Sequence, residues 1–287
     1  METHDIKEVA VIGAGAMGSQ IAMICALHGY RVTLNDIAEE SLTQAKESLQ
    51  GHMNRRIQKG KLSEQQVEEA FGRLTFDVNL AAVKDADLVI EAVVEKLDVK
   101  RELFATLDDI TPDHTILATN SSTIVSSKIA DAIRNPDKVC NVHFFNPPLV
   151  MELVEVVQGP HTSEETAQTA YAFVEQIGKV PVLLKKEISG FIANRILGKL
   201  MDEAVFLLEN GYATHEEIDT VCTKALNHPI GPFALMDLTG IDVNYFVRMQ
   251  RYQESGDEAD QPAKLIQEKV EKGELGRKTG KGFYQYS

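Results

Sequence analysis

The stretch VHFFNPPLVMELVEVV, residues 142–157, holds one histidine and one carboxylate of the kind that move protons, placed symmetrically about Leu149. A return of the chain through Pro147 and Pro148 would bring His143 and Glu155 side by side. A carboxylate beside an imidazole fixes its tautomer and stabilises its protonated form, which makes a histidine a competent base near neutral pH. Glu155 is also the one charge in the apolar alternation Met151, Leu153, Glu155, Val157, and a buried charge needs a partner. At this point the pair reads in two ways, as a proton-transfer couple or as a structural contact beside a sheet.

A second chemical signal lies near the start, in VAVIGAGAMGSQIA, residues 9–22. An apolar run from Val9 to Ile12 reads as a buried strand. Gly13, Gly15 and Gly18 follow at G-x-G-x-x-G spacing, with Ala16 and Met17 inside the turn, and Gln20 to Leu27 continues as a helix. Gly13 suits a sharp turn, Gly15 lets backbone approach a pyrophosphate, and Gly18 lets helix lie close on strand. The helix N-terminus then offers free N–H groups and a partial positive charge to the phosphates. Asp36, 18 residues beyond Gly18, sits where an acid accepts the adenosine ribose hydroxyls and repels a 2′-phosphate. Ile37 and Ala38 follow it, with no Arg or Lys to welcome that phosphate, so NAD is favoured over NADP. A glycine triplet alone is a weak signal; the strand–turn–helix setting carries it.

The elements that must position these residues follow from periodicity. Glu39 to Lys59 reads as helix, and LSEQQVEEAFGRL as a second helix opened by Ser63 and Gln66 in capping-box spacing, a helical excursion over about 39–72. Strands at Arg31–Leu34, Asp87–Glu91, Thr115–Thr119 and Val139–Phe144 alternate with helices at Val99–Leu107 and Ser126–Ile133. Such alternation predicts an α/β fold, a Rossmann-type doubly wound, mostly parallel sheet, with ligands beyond the carboxyl ends of its strands. That rim gathers 92–95, 120–122 and 143–146 with the glycine turn. Met151–Val157 follows a Pro-Pro turn too closely for a helical crossover and should run antiparallel. After a helix at Thr166–Ile177 and an extended Val180–Lys185, the chain becomes entirely helical. Its helices are expected up to Asn210, from a capping box at Thr214 and Glu217, and over Pro232–Leu238, Asp242–Gln253 and Pro262–Lys272. Two domains are expected, 1–186 for NAD binding and 187–287 as an all-helical C-terminal domain.

Composition narrows the function. The 287 residues include 44% hydrophobics, enough for a sizeable core, and the formal net charge of −14 argues against a nucleic-acid or anionic-membrane binder. Three cysteines, Cys25, Cys140 and Cys222, show no CxxC and suggest a reducing compartment and no structural metal. The opening METHDIKEVA has neither a basic nor an apolar leader region, so a soluble, cytoplasmic protein is expected. Basic residues concentrate at Arg55, Arg56, Lys59 and Lys61, and again at Arg277, Lys278 and Lys281; a solvated face is the commoner explanation of such runs.

Taken together the motifs resemble the L-3-hydroxyacyl-CoA dehydrogenases, and within them the short monofunctional bacterial 3-hydroxybutyryl-CoA dehydrogenases. The resemblance spans GAGAMG at 13–18, EAVVEKLDVK at 91–100, TNSS at 119–122, HFFNPP at 143–148, GFIANR at 190–195, GPF at 231–233 and GRKTGKGFY at 276–284. It implies that His143 removes the 3-hydroxyl proton as hydride passes to NAD, supported by Glu155, to give a 3-ketoacyl-CoA from the (S)-hydroxy ester. It further implies that Ser122 and Asn194 bond the substrate oxygens and that Asn146 helps hold the site. Glu95, Lys100 and Asn120 fall at cofactor-contacting positions, with Asp36 on the ribose. Asn194 lies in the helical part, so the resemblance places completion of the site at the domain boundary. Asn54, Arg55, Lys59 and Lys61 are candidates for the CoA phosphates, without a fixed register. A homodimer through the helical domain is implied, and the apolar run Val205, Phe206, Leu207, Leu208 suits one.

Two other readings keep the same fold. One is an NAD-dependent hydroxyacid dehydrogenase acting on a substrate without CoA; relatives of the 6-phosphogluconate dehydrogenase type use a catalytic lysine, where this chain presents HFFNPP and Glu155. The other is a non-catalytic NAD-binding or structural relative, of the kind lens crystallins represent.

Overall fold

The apolar runs of the first two-thirds of the chain become the strands of one eight-stranded sheet in the computed structural model, which describes residues 6–286. Residues 1–5, part of the N-terminal stretch read above for a leader, lie outside the described residues. The chain divides into two units, the first ending at Phe191 and the second beginning at Ile192.

The first unit runs β1 (Glu8–Ile12), α1 (Ala16–Leu27), β2 (Arg31–Asn35), α2 (Glu39–Gln58), α3 (Glu64–Gly72), β3 (Leu74–Asp77), β4 (Leu88–Glu91), α4 (Leu97–Ile110), β5 (Ile116–Thr119) and α5 (Ser127–Ala130). It continues through β6 (Val139–Phe144), β7 (Leu153–Val157), α6 (Glu164–Gln176) and β8 (Val180–Leu184). The strand order is β3-β2-β1-β4-β5-β6-β7-β8. The chain builds outward from β1 on one side, then returns to lay β4 on the other, so the switch point lies between β1 and β4, where open α/β sheets bind ligands. Successive residues of β1 feed opposite cores: Val9 and Val11 pack with α1 and α2 side chains, Ala10 and Ile12 with Phe104 and Leu107 of α4. A sheet buried on both faces needs continuous apolar strands, as VAVI, LVIE and ILAT supply.

β7 runs antiparallel to β6, as the short Pro-Pro turn requires, and β8 parallel to β7. The capping box at Ser63 and Gln66 forms. Two expectations need correcting. LSEQQVEEAFGRL is not all helix: α3 stops at Gly72, and Leu74 starts an edge strand paired with β2, a four-residue piece too short to declare a period of its own. The helix expected over Ser126–Ile133 is a single turn, Ser127–Ala130, without a side-chain cap.

The second unit holds α7 (Ala193–Glu209), α8 (His215–Lys224), α9 (Pro232–Thr239), α10 (Ile241–Ser255) and α11 (Lys264–Glu271). Thr214 and Glu217 form the expected capping box on α8. Two buried carboxylates tie the unit together. Asp219 accepts the N–H groups of Phe233 and Ala234 that open α9, and the Tyr284 hydroxyl. Asp237 accepts the N–H groups of Phe283 and Tyr284 and the Tyr286 hydroxyl. GRKTGKGFY is thus the socket for Asp237: a Cβ on Gly282 would lie 2.1 Å from its Oδ1. Among the described residues no helix is long and apolar enough to cross a membrane.

Candidate active site

Strand register brings the proton-transfer pair together. His143 on β6 lies directly opposite Glu155 on β7, and its Nδ1 stands 3.0 Å from Glu155 Oε2. Both are buried, at 5% and 1% exposure. With Nδ1–H donating to the carboxylate, Nε2 keeps its lone pair for a proton from elsewhere. The rings of Phe145 and Phe191 flank the imidazole, with centroids at 4.5 and 5.5 Å. The sequence alone does not reveal this contact for either phenylalanine; Phe191 is placed for it by backbone at φ +46°, directly after Gly190 at φ +76°.

The glycine turn passes a direct test of fit to a dinucleotide. A Cβ on Gly13, at φ +103°, would meet the Ala92 carbonyl oxygen at 2.6 Å, and one on Gly18 would meet the Gly13 oxygen at 1.9 Å. The fold itself therefore demands these two. Gly15 is different: its φ of −65° and extended ψ suit any residue, and a Cβ there would touch nothing within 4 Å. The space beside it suits a ligand, as a pyrophosphate approach requires. No side chain caps α1 and its first turn carries no acid, so the N-terminal dipole is left to an anion. Asp36 stands at the end of β2, holding the turn by accepting the Ala14 N–H at 2.8 Å and the Ala38 N–H at 3.0 Å.

A buried network, much of it missed in the sequence, shapes the rim between the two sites. Glu91, fully buried at the end of β4, accepts from Lys100 Nζ at 2.6 Å, Thr119 Oγ1 at 2.7 Å and the Val93 N–H at 2.7 Å. Lys100, only 1% exposed, also reaches Glu95 Oε2 at 3.2 Å. Glu95 in turn accepts the hydroxyls of Ser121 and Thr123, so Ser122 is gripped on both sides. Burial works against the Glu95 carboxylate, but the Lys100 charge and the two hydroxyls outweigh it and hold its pKa below the ordinary value. The one signal that could have found Glu91 is an acid ending the otherwise apolar DLVIE. Asn120 faces β6, its Oδ1 accepting the Phe144 N–H at 2.8 Å, while Asn146 is exposed on the loop beyond His143.

The basic cluster gathers at the C-terminal end of α2. Asn54, Arg55, Lys59 and Lys61 are exposed there, Arg55 beside His52 Nδ1 at 3.1 Å and Asn54 beside Gln50 at 3.0 Å. Asn194 lies in the second unit, in the first turn of α7, partly exposed.

A buried histidine–carboxylate couple on the rim of a sheet built for a dinucleotide defines an oxidoreductase site. Comparison with known proteins makes the class specific: residues 8–188 match the NAD binding domain of 3-hydroxyacyl-CoA dehydrogenase, and residues 190–286 match its C-terminal domain. The chain belongs to the 3-hydroxyacyl-CoA dehydrogenase family, and NAD is the cofactor of that family's first domain. It is 39% identical to a probable 3-hydroxybutyryl-CoA dehydrogenase of Bacillus subtilis over 98% of both chains, and 39% identical to the 3-hydroxybutyryl-CoA dehydrogenase of Clostridioides difficile over 98% of this chain and 99% of that one. The crystal structure of (S)-3-hydroxybutyryl-CoA dehydrogenase from Ralstonia eutropha superposes with a TM-score of 0.93 at 38% identity, covering 99% of this chain and all of the other.

Proposed function

We propose that this NAD-dependent 3-hydroxyacyl-CoA dehydrogenase interconverts (S)-3-hydroxybutyryl-CoA and acetoacetyl-CoA, with His143 as the general base and acid. The observation that carries the reading is the buried His143–Glu155 contact, 3.0 Å across adjacent strands at the rim that the glycine turn also occupies. When bound, NAD supplies the hydride acceptor for carbon 3. His143 Nε2 takes the hydroxyl proton during oxidation and returns it during reduction. Glu155 holds the ring by Nδ1 and stabilises the imidazolium that forms. Ser122 and Asn194 bond the substrate oxygens, Asn146 supports the site, Asp36 reads the ribose, and Glu95 and Asn120 lie on the cofactor side. Lys100 acts on the cofactor through Glu95, because its ammonium is buried. Arg55, Lys59, Lys61 and Asn54 meet the CoA phosphates. The enzyme works as a cytoplasmic homodimer through its helical unit, whose exposed Ile196, Phe206 and Phe246 supply apolar surface.

The test is NADH oxidation with acetoacetyl-CoA beside acetoacetate, longer 3-ketoacyl-CoA esters and NADPH. Turnover with acetoacetyl-CoA and NADH, little with acetoacetate or NADPH, and a decline with longer esters is expected. A dicarbonyl arm belongs in the same series, since a relative 37% identical is described as a diketoreductase acting on dicarbonyl compounds. Equal turnover without the CoA moiety would remove the CoA reading and leave the fold and cofactor standing.

A further inference from the structure

Three side chains from different parts of the first unit hold the backbone of the loop that follows His143. Lys179, immediately before β8, donates from Nζ to the carbonyls of Pro148 and Met151, both at 2.7 Å. Arg56, in the last turn of α2, donates from Nη2 to the Leu149 carbonyl. Gln20 of α1 accepts the Leu149 N–H through Oε1 at 3.2 Å. Backbone groups in an irregular segment have no ladder to satisfy them, so their partners must come from elsewhere. Here they come mainly as charge-assisted bonds, roughly twice as strong as neutral ones. Burial lowers the Lys179 pKa, and the neighbouring Arg56 charge lowers it further, as expected where two cations converge on one turn.

We propose that Arg56 and Lys179 are positioning residues for the dehydrogenase reaction, clamping residues 147–151 so that His143 at one end of the loop and Glu155 beyond the other stay in catalytic alignment. The proposal rests on the reading of His143 as the base. It separates Arg56 from its neighbour in the basic cluster. Consecutive helical residues point roughly 100° apart. Arg55 is exposed beside His52 and free to meet an anion, whereas Arg56 is partly buried on the loop carbonyl. The loop is also tied to α1, the helix of the glycine turn, through Gln20, so the cofactor element and the proton-transfer strand share one anchor point.

The experiment pairs steady-state kinetics on acetoacetyl-CoA and NADH with amide hydrogen exchange over residues 145–152, measured without ligand, in Arg56→Met, Lys179→Met and Arg56→Lys. A clamp predicts kcat down on the order of ten- to a hundredfold, both KM values within about twofold, faster exchange in the loop, and partial rescue of both readouts by Arg56→Lys. A raised KM for the CoA ester at unchanged kcat would make Arg56 a phosphate contact and overturn the proposal. Unchanged exchange, or faster exchange with unchanged kcat, would overturn it too. Should either methionine variant fail to fold, the other and Arg56→Lys carry the same comparison. The exchange readout needs no turnover, so a wild-type enzyme inactive on CoA esters would end the substrate reading while exchange still decided whether the clamp exists.

Discussion

Glu155 meets the His143 imidazole at Nδ1 and leaves Nε2 open; in the mechanism proposed above Nε2 serves the substrate hydroxyl, and that division of labour between the two nitrogens depends on charge as well as shape. Glu155→Gln keeps the size and the acceptor but removes the charge that steadies an imidazolium. Its kcat should fall by a factor on the order of 10²–10⁴ with thermal stability little altered. Turnover within about threefold of wild type would show that Glu155 is merely a packing partner. This pair was legible because two prolines force a hairpin-like return whose midpoint, Leu149, lies equally far from both residues. Glu91 was not legible in the same way. An acid closing an apolar strand looks like the strand's end, and only three converging donors reveal it as an anchor. Nor could the sequence separate Arg55 from Arg56, since adjacent identical side chains differ only in the direction each takes from the helix.

The elements that present the site show two kinds of glycine in one motif. Gly18→Ala forces a Cβ into the backbone of Gly13 and should destabilise the fold outright. Gly15→Ala meets no protein atom and suits its backbone angles, so the variant should melt near the wild-type temperature yet bind NADH at least tenfold more weakly by fluorescence titration. Equal NADH affinity would remove the pyrophosphate from this turn. The β4–α4 and β5–α5 connections are joined through Glu95, whose carboxyl pKa is held below the usual range. A carboxylate depressed in the folded state contributes stability above its unfolded pKa of about 4.3 and loses it as pH falls through the lower folded value. Urea midpoints measured from pH 6 down to 3 should therefore decline less steeply for Glu95→Gln than for wild type. Parallel slopes would count against the network. Most of this framework was readable from alternating apolar runs and caps. The exceptions, β3 and the shortened α5, are pieces of four residues whose conformation depends on neighbours across the sheet rather than on their own period.

At the scale of the molecule, the proposed CoA ester would bring a polyanion to an acidic protein, and the cations gathered where α2 ends are the surface proposed to receive it. The helical unit exposes large apolar side chains, Phe246 at 62% and Ile196 at 66% among them. Such a surface is costly on a monomer. Light scattering should return about twice the 31.7 kDa chain mass; a monomer at working concentration would refute the dimer. The run Val205–Leu208 offered for that surface turns out to be divided, with Val205 in the unit's core and Phe206 half exposed.

The placement of His143 directly across from Glu155 makes the sheet's hydrogen-bond ladder a measuring device. A slip of one residue between β6 and β7 would turn the carboxylate to the opposite face of the sheet, and a slip of two would slide it a full pleat away. With His143 as the base proposed above, a chain that has paired these strands wrongly would be inert as well as misfolded. On that proposal turnover doubles as a report on assembly, since it requires that the last parallel strand and the first reversed one have met residue for residue.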